Sequence, residues 1–364
     1  MEQSEDLVIS TMKNRSHYNR TSHPQIQKLG ELLMKNYNVK FCHVTSSGMN
    51  AISTLFHSIF IHHKFANFNI IYGNELYCDT PRLFEYFKEV YGMNIDEFMI
   101  TSDNLVELFE TDYKAQNNIL YIESCSNPSG YIFDFSMIDK LRSLSNILYV
   151  IVDNTWLTEV IFNPFEHGCD FTVTSLTKYY GGGVAIGGAI LSNNEPIMTS
   201  VMKWSKVNGQ HVSPYNCELI YNNILTMKDR IANSSSLTTK VIEYLKSKPK
   251  ISNMSHPLLA NHVSYNLAIK YFKTINDVNL GPSVLTFMVK TKKNNIIKFF
   301  KNNTILDFKT SFGSQLSRID SYPGTYYNND HPEIKYTVLR LALGYNDTYE
   351  RVVEGLDELF MQIE

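Results

Sequence analysis

Apolar positions along the chain fall into short runs that alternate with stretches of helical spacing. After a polar first segment, the pattern predicts a helix over 25–37. Short β-type runs follow at 41–44, 69–72, 119–122, 147–152, 171–173 and 185–191, the last rich in Gly at its start. Helical patterns at 49–63, 81–91 and 136–144 lie between them. Strands that alternate with helices predict an α/β fold whose mainly parallel sheet is covered on both faces. Near residue 212 the character changes. The stretch 214–248 reads as largely helical, and a second set of strands is predicted at 284–289, 305–308 and 336–343. A last helix starts at Asn346-Asp347, where Asp347 and Glu350 have capping-box spacing, and Val352, Leu356, Leu359 and Phe360 then recur at helical intervals. The expected division is an arm and helix over 1–40, a large domain over 41–213 and a smaller α+β domain over 214–364.

Composition narrows the field by exclusion. The chain has 364 residues, enough for two cores, with 43% hydrophobic and 19% charged residues. Lys plus Arg is 33 and Asp plus Glu is 36, a formal net charge of −3. That balance gives no reason to expect a nucleic acid or an anionic membrane as partner. The five cysteines (Cys42, Cys78, Cys125, Cys169 and Cys217) contain no C-x-x-C pair. Neither a disulfide framework nor a metal site is expected, and a reducing, cytoplasmic setting is. No signal-peptide pattern is read at the start, and the longest apolar runs are strand-length.

Four segments carry candidate chemistry. Ser46-Ser47-Gly48-Met49 lies between a strand and a helix, where the amides of Gly48 and Met49 make an anion site. Ser-Gly before a helix is also a common cap. Asp153-Asn154-Thr155-Trp156 ends an apolar strand, the end at which parallel sheets bind ligands. A carboxylate there can pair with a protonated pyridine nitrogen, or it can cap the following turn. Ser175-Leu176-Thr177-Lys178 follows one strand later and runs into Tyr179-Tyr180-Gly181-Gly182-Gly183. A lysine there can hold an aldehyde cofactor as a Schiff base and shuttle protons once released. The hydroxyls of Ser175 and Thr177 suit a cofactor phosphate. In Glu75-Leu76-Tyr77-Cys78-Asp79-Thr80, Tyr77 can stack on a ring and act as acid or base. Together these point to a pyridoxal phosphate (PLP) enzyme with Lys178 as the anchor.

The segments resemble the Cys/Met-metabolism PLP enzymes, the transsulfuration family of cystathionine synthases and lyases, methionine γ-lyase and O-acylhomoserine sulfhydrylase. VDNTW at 152–156 is similar to the family's VDNTF, TSLTKYYGG at 174–182 to HSATKYLGG, and SSGMNAI at 46–52 to SSGMAAI. ELYCDTPRLF at 75–84 is similar to DLYGGTYRLF, and ESCSNP at 123–128 to ETPSNP. The resemblance implies a fold-type-I, aspartate-aminotransferase-like architecture with a seven-stranded sheet. It implies that Asn127 contacts the ring oxygen of PLP, that Lys178 and Tyr77 are catalytic, and that an amino acid is the substrate. Leu339-Arg340-Leu341-Ala342-Leu343-Gly344 resembles the segment whose arginine grips the substrate carboxylate, and Ser311-Phe312-Gly313 the segment lining the same pocket. Tyr18-Asn19-Arg20-Thr21 resembles the YSR motif whose Tyr and Arg reach the neighbouring subunit's phosphate, which implies a homodimer with shared sites, or a homotetramer.

Several positions depart from the family. Seventeen residues precede Tyr18, fewer than is usual. GGGVAIGG follows Lys178 where the family has a His-containing stretch one residue longer. Cys78 and Asp79 replace paired glycines, and Thr310 stands where cystathionine γ enzymes often carry Glu. These positions border the substrate. The expected reaction is elimination or replacement at Cβ or Cγ of a sulfur- or oxygen-substituted amino acid. The alternatives are a divergent biosynthetic member with a nonstandard amino acid, or a catalytically silent PLP-binding partner protein.

Overall fold

A computed structural model describes residues 22–101, 105–114, 117–275, 278–291, 293–321 and 336–363. The large sheet contains β1 (Phe41–Thr45), β2 (Asn69–Gly73), β3 (Asn94–Phe98), β4 (Asn118–Glu123), β5 (Ile147–Asp153), β6 (Phe171–Thr174) and β7 (Gly188–Ser192). Their order is β1-β7-β6-β5-β4-β2-β3. Pairings among β2 to β6 are parallel, whereas β7 runs antiparallel to both β6 and β1. The exception follows from the connection. Residues 175–187 form turns without a helix, and a parallel return normally needs a crossover helix. That turning segment carries Lys178.

Strand alternation sends neighbouring residues to opposite faces. Ile71, Leu120, Val150 and Leu191 face one core, which takes in Leu29, Leu33 and Tyr37 from helix Pro24–Tyr37. Ile70, Ile119, Ile151 and Ile190 face the other, under helices Gly48–His62 and Glu195–Val207. β4 is buried along its whole length, which is why it reads as an unbroken apolar run. β3 escaped the pattern because it is an edge strand, with Asn94 and Glu97 exposed.

The smaller unit holds β8 (Ile251–Ser255), a hairpin of β9 (Thr274–Ile275) and β10 (Val278–Asn279), β11 (Val284–Lys290), β12 (Asp307–Phe308), β13 (Arg318–Ser321) and β14 (Tyr336–Ala342). Five of these form a sheet in the order β12-β13-β14-β11-β8. Its core joins Leu285, Phe287, Leu339 and Leu341 to Leu356 and Leu359 of helix Tyr349–Ile363. The helical stretch expected over 214–248 is two helices, Pro214–Ile224 and Met227–Lys246. The second passes between cores: Ile231 packs in the large unit, whereas Leu237, Val241 and Leu245 pack in the small one.

Two local expectations need correction. The predicted strand at 305–308 shrinks to Asp307–Phe308, because Asn303 takes the amides of Ile305 and Leu306 on its side-chain oxygen. The last helix is capped by Thr348, whose Oγ1 accepts from the Arg351 amide. Asp347 instead accepts from the Ser317 amide and from Arg351 Nη1. Among the described residues no helix is long and apolar enough to cross a membrane.

Candidate active site

The C-terminal ends of β4, β5 and β6 open into a cavity of about 490 Å³. Its floor is a pair of carboxylates. Asp153 ends β5, Glu123 ends β4, and the two are register partners. Asp153 Oδ1 accepts from the Thr155 amide at 2.9 Å, and the Tyr121 hydroxyl donates to Oδ2 at 3.4 Å. Glu123 Oε1 accepts from the Tyr77 amide at 2.6 Å. Burial, then the charge of Asp153, pushes Glu123 well above the usual carboxylate range. Burial raises Asp153 as well, opposed by Thr155, Tyr121 and Lys178, all of which favour its anion.

One wall is the start of helix Gly48–His62. Ser47 caps it, accepting from the Asn50 amide at 3.1 Å. The amides of Gly48 and Met49 have no partner inside the helix. A Cβ at Gly48 would stand 2.8 Å from Ser175 Cβ, and one at Gly188 would stand 2.2 Å from the Ser47 carbonyl. Backbone and hydroxyls are thus drawn together at one corner. Thr177 Oγ1 both donates to the Gly187 carbonyl and accepts from the Gly187 amide, which closes the loop on itself.

Lys178 projects from that loop. Its Nζ donates to Ser311 Oγ at 2.8 Å and lies 5.4 Å from the centre of the Phe312 ring. Burial lowers the Lys178 pKa to about 8, helped by repulsion from Arg340 and Arg318 and opposed by Asp153. Ser311 has φ 80°, a conformation that costs a non-glycine residue on the order of 1–3 kcal/mol. The loop is held from below by buried Arg230, which donates to the Tyr179 carbonyl at 2.8 Å and to the Asn223 carbonyl at 2.7 Å. No sequence pattern marked Arg230, because a single arginine within a helix reads as a solvated charge.

The opposite wall comes from the small unit. Arg340, on β14, donates from Nη1 to Asn127 Oδ1 at 3.1 Å and from Nη2 to Asp320 Oδ2 at 2.8 Å. The Arg340 and Asp320 side chains are each only 8% exposed. Burial raises the Asp320 pKa, against the pull of Arg340. Tyr77 stands at the opening, 42% exposed. Burial and the neighbouring Asp79 raise its pKa, so its hydroxyl keeps its proton at neutral pH.

Ser47, Gly48, Met49, Tyr77, Asn127, Asp153, Ser175, Thr177, Lys178, Ser311 and Arg340 all line this cavity. Tyr18 and Arg20 lie outside the described residues. Glu123, Asp320 and Thr155 line it too, and sequence reasoning passed over them. Glu123 opens the quoted ESCSNP segment, so its place at a strand end was available as a signal.

The arrangement fits PLP. The Gly48 and Met49 amides, beside the hydroxyls of Ser47 and Ser175, suit a phosphate. Asp153 suits a protonated ring nitrogen, and the Lys178 amine suits the aldehyde. Because Asn127 Oδ1 is taken by Arg340, its amide nitrogen is the atom left to donate to a ring oxygen. Fold and cavity together are those of a PLP-dependent enzyme of the aspartate-aminotransferase architecture.

The chain belongs to the Cys/Met metabolism PLP-dependent enzymes, whose family pattern matches residues 2–359. Cystathionine beta-lyase of Schizosaccharomyces pombe is 28% identical over 353 residues, spanning 95% of this chain and 85% of the relative. L-methionine gamma-lyase of Treponema denticola is 26% identical, spanning 94% of this chain and 85% of the relative. The crystal structure of cystathionine gamma synthase from Xanthomonas oryzae pv. oryzae superposes with a TM-score of 0.82 at 20% identity, covering 96% and 90% of the two chains.

Proposed function

We propose that the protein catalyses elimination or replacement at Cβ or Cγ of an amino acid carrying a sulfur or oxygen substituent. The observation that carries the reading is the placement of a lysine amine and a buried arginine in one cavity, with a carboxylate floor. When bound, PLP supplies an electron sink for charge that develops at the substrate Cα. Lys178 anchors its aldehyde. With a pKa near 8, the amine carries a large neutral fraction at mildly alkaline pH and can take the Cα proton. Ser311, 2.8 Å from Nζ, orients that amine. Asp153 keeps the ring nitrogen protonated, and Ser47, Gly48, Met49 and Ser175 hold the phosphate end, joined by Thr177 when its hydroxyl turns from the Gly187 carbonyl. Arg340 takes the substrate carboxylate through its planar fork. Tyr77, protonated and at the opening, gives a proton to the departing group. Tyr18 and Arg20 are assigned to a neighbouring subunit's phosphate, which makes the working form a homodimer with shared sites.

The test is the oxoacid released from L-cystathionine by the purified, PLP-loaded protein. Pyruvate assigns Cβ–S cleavage, and 2-oxobutyrate assigns γ-elimination. Release of neither oxoacid from cystathionine, together with no thioether amino acid formed from an O-acylhomoserine supplied with a thiol, would overturn the reading.

A further inference from the structure

Resting on that reading of the reaction, we infer that Arg318 selects the substrate by its leaving group, receiving a carboxylate at the far end of the sulfur or oxygen substituent. Arg318 opens β13 and pairs in register with Ala342, while Asp320, two residues on, pairs with Arg340. Strand alternation places Arg318 and Asp320 on the same face of the sheet. Asp320 and Arg340 line the cavity, and Arg318 stands two residues along the strand from Asp320, next to the lining. Its Nη1 donates at 3.3 Å to the carbonyl of Thr310, itself a lining residue. The charge reaches inward, since it disfavours the protonated form of Lys178.

Arg318 has no acidic partner among the described residues. Among the described residues, Asp320 is spent on Arg340, Asp347 on Arg351 and the Ser317 amide, and Asp307 on Lys309. Arg318 Nε is buried without a hydrogen-bond partner among the described residues. A buried guanidinium N–H left unpaired is costly, and a carboxylate that engages the fork relieves that cost. Arg340 is already placed for the α-carboxylate, so the second cation answers to a second anion. The favoured substrates are therefore amino acids whose leaving group ends in a carboxylate, over those whose leaving group is neutral.

O-Succinyl- and O-acetyl-L-homoserine test this directly, because they share the leaving oxygen and differ by a terminal CH2–COO−. The preference of the PLP-loaded full chain is read as a ratio of kcat/KM where 2-oxobutyrate appears. Where no oxoacid appears it is read as a ratio of Kd by calorimetry, so failure of the reaction reading stays distinguishable from failure of the arginine's role. The unaltered protein should prefer the succinyl ester by roughly ten- to a hundredfold. Arg318→Leu should bring the ratio toward one, and Arg318→Lys, which keeps the charge without the fork, should leave it in between. Equal handling of the two esters by the unaltered protein, binding of neither, or a preference that survives Arg318→Leu would overturn the inference.

Discussion

The two walls of the cavity are assembled by different means. The wall assigned to the cofactor hangs on the ends of three parallel strands and on one helix start, so Asp153 and Gly48 follow from regular α/β geometry, with Lys178 on the turn that leaves the third strand. The wall assigned to the substrate combines a loop with a left-handed residue, Ser311, and two antiparallel strands of a second sheet. The first wall has little room to vary, since Gly48 and Gly188 sit against neighbouring backbone and side chains with no space for a Cβ. The second is a set of charged side chains whose mutual pairing can change one residue at a time. Specificity can therefore diverge there while cofactor binding persists.

The largest expected effect tests the first wall. Lys178→Ala should lower turnover by at least about 10²–10⁴-fold, the scale of a lost acid–base group. In cofactor-free protein, capture of PLP by Lys178 requires the neutral amine. The sign follows from the lowered pKa: the capture rate should rise with pH up to about 8 and then level off. Stopped-flow absorbance would read this, and a rate still climbing toward pH 10.5 would mean that the amine is not buried as the structure has it.

A middle-sized effect sharpens the contrast from the other wall. Asp320 touches Arg340 at 2.8 Å and acts through it, so it is a positioning residue. Asp320→Asn keeps an acceptor for Nη2 but removes the charge that orients the fork. KM should rise about tenfold, with kcat changed by less than about threefold, because the Arg340 clamp is loosened before the chemistry begins. Loss of kcat at constant KM would instead place Asp320 in the chemical step.

The same contrast explains what was legible in the sequence. β5 announces Asp153 because an apolar run stops at it. The loop announces Lys178 because hydroxyls and glycines crowd around a lysine after a strand. Both signals are local, and the sheet topology converts them into position without further information. Asp320, Arg318 and Arg230 carry no such local mark. Each acquires its meaning from a partner brought by another element: Arg340 from β14, the Thr310 carbonyl from the loop, and the Tyr179 carbonyl from the segment after β6. A charged residue in a short strand or amid a helix reads as solvated until its neighbours are known. The smaller sheet was also harder to see as a whole, since β12 and β13 are too short to carry a period.

The smallest effect probes the floor where the walls meet. Glu123 and Asp153 are register partners, and two buried anions at adjacent strand ends repel. The structure resolves this by holding Glu123 well above its ordinary pKa. A carboxyl whose folded pKa is raised binds more protons folded than unfolded, so its contribution is present below the unfolded pKa. It is lost as pH rises from there through the folded pKa. Glu123→Gln keeps an oxygen to accept from the Tyr77 amide and removes the titration. The stability of the variant should therefore vary less with pH above about 4.3, the unfolded glutamate value, with the variant gaining on the unaltered protein as pH rises. Thermal midpoints measured from pH 5 to pH 8 would read that difference. Parallel curves for the two proteins would mean that Glu123 titrates normally, and the negative charge at the floor would then be shared by two carboxylates instead of resting on Asp153.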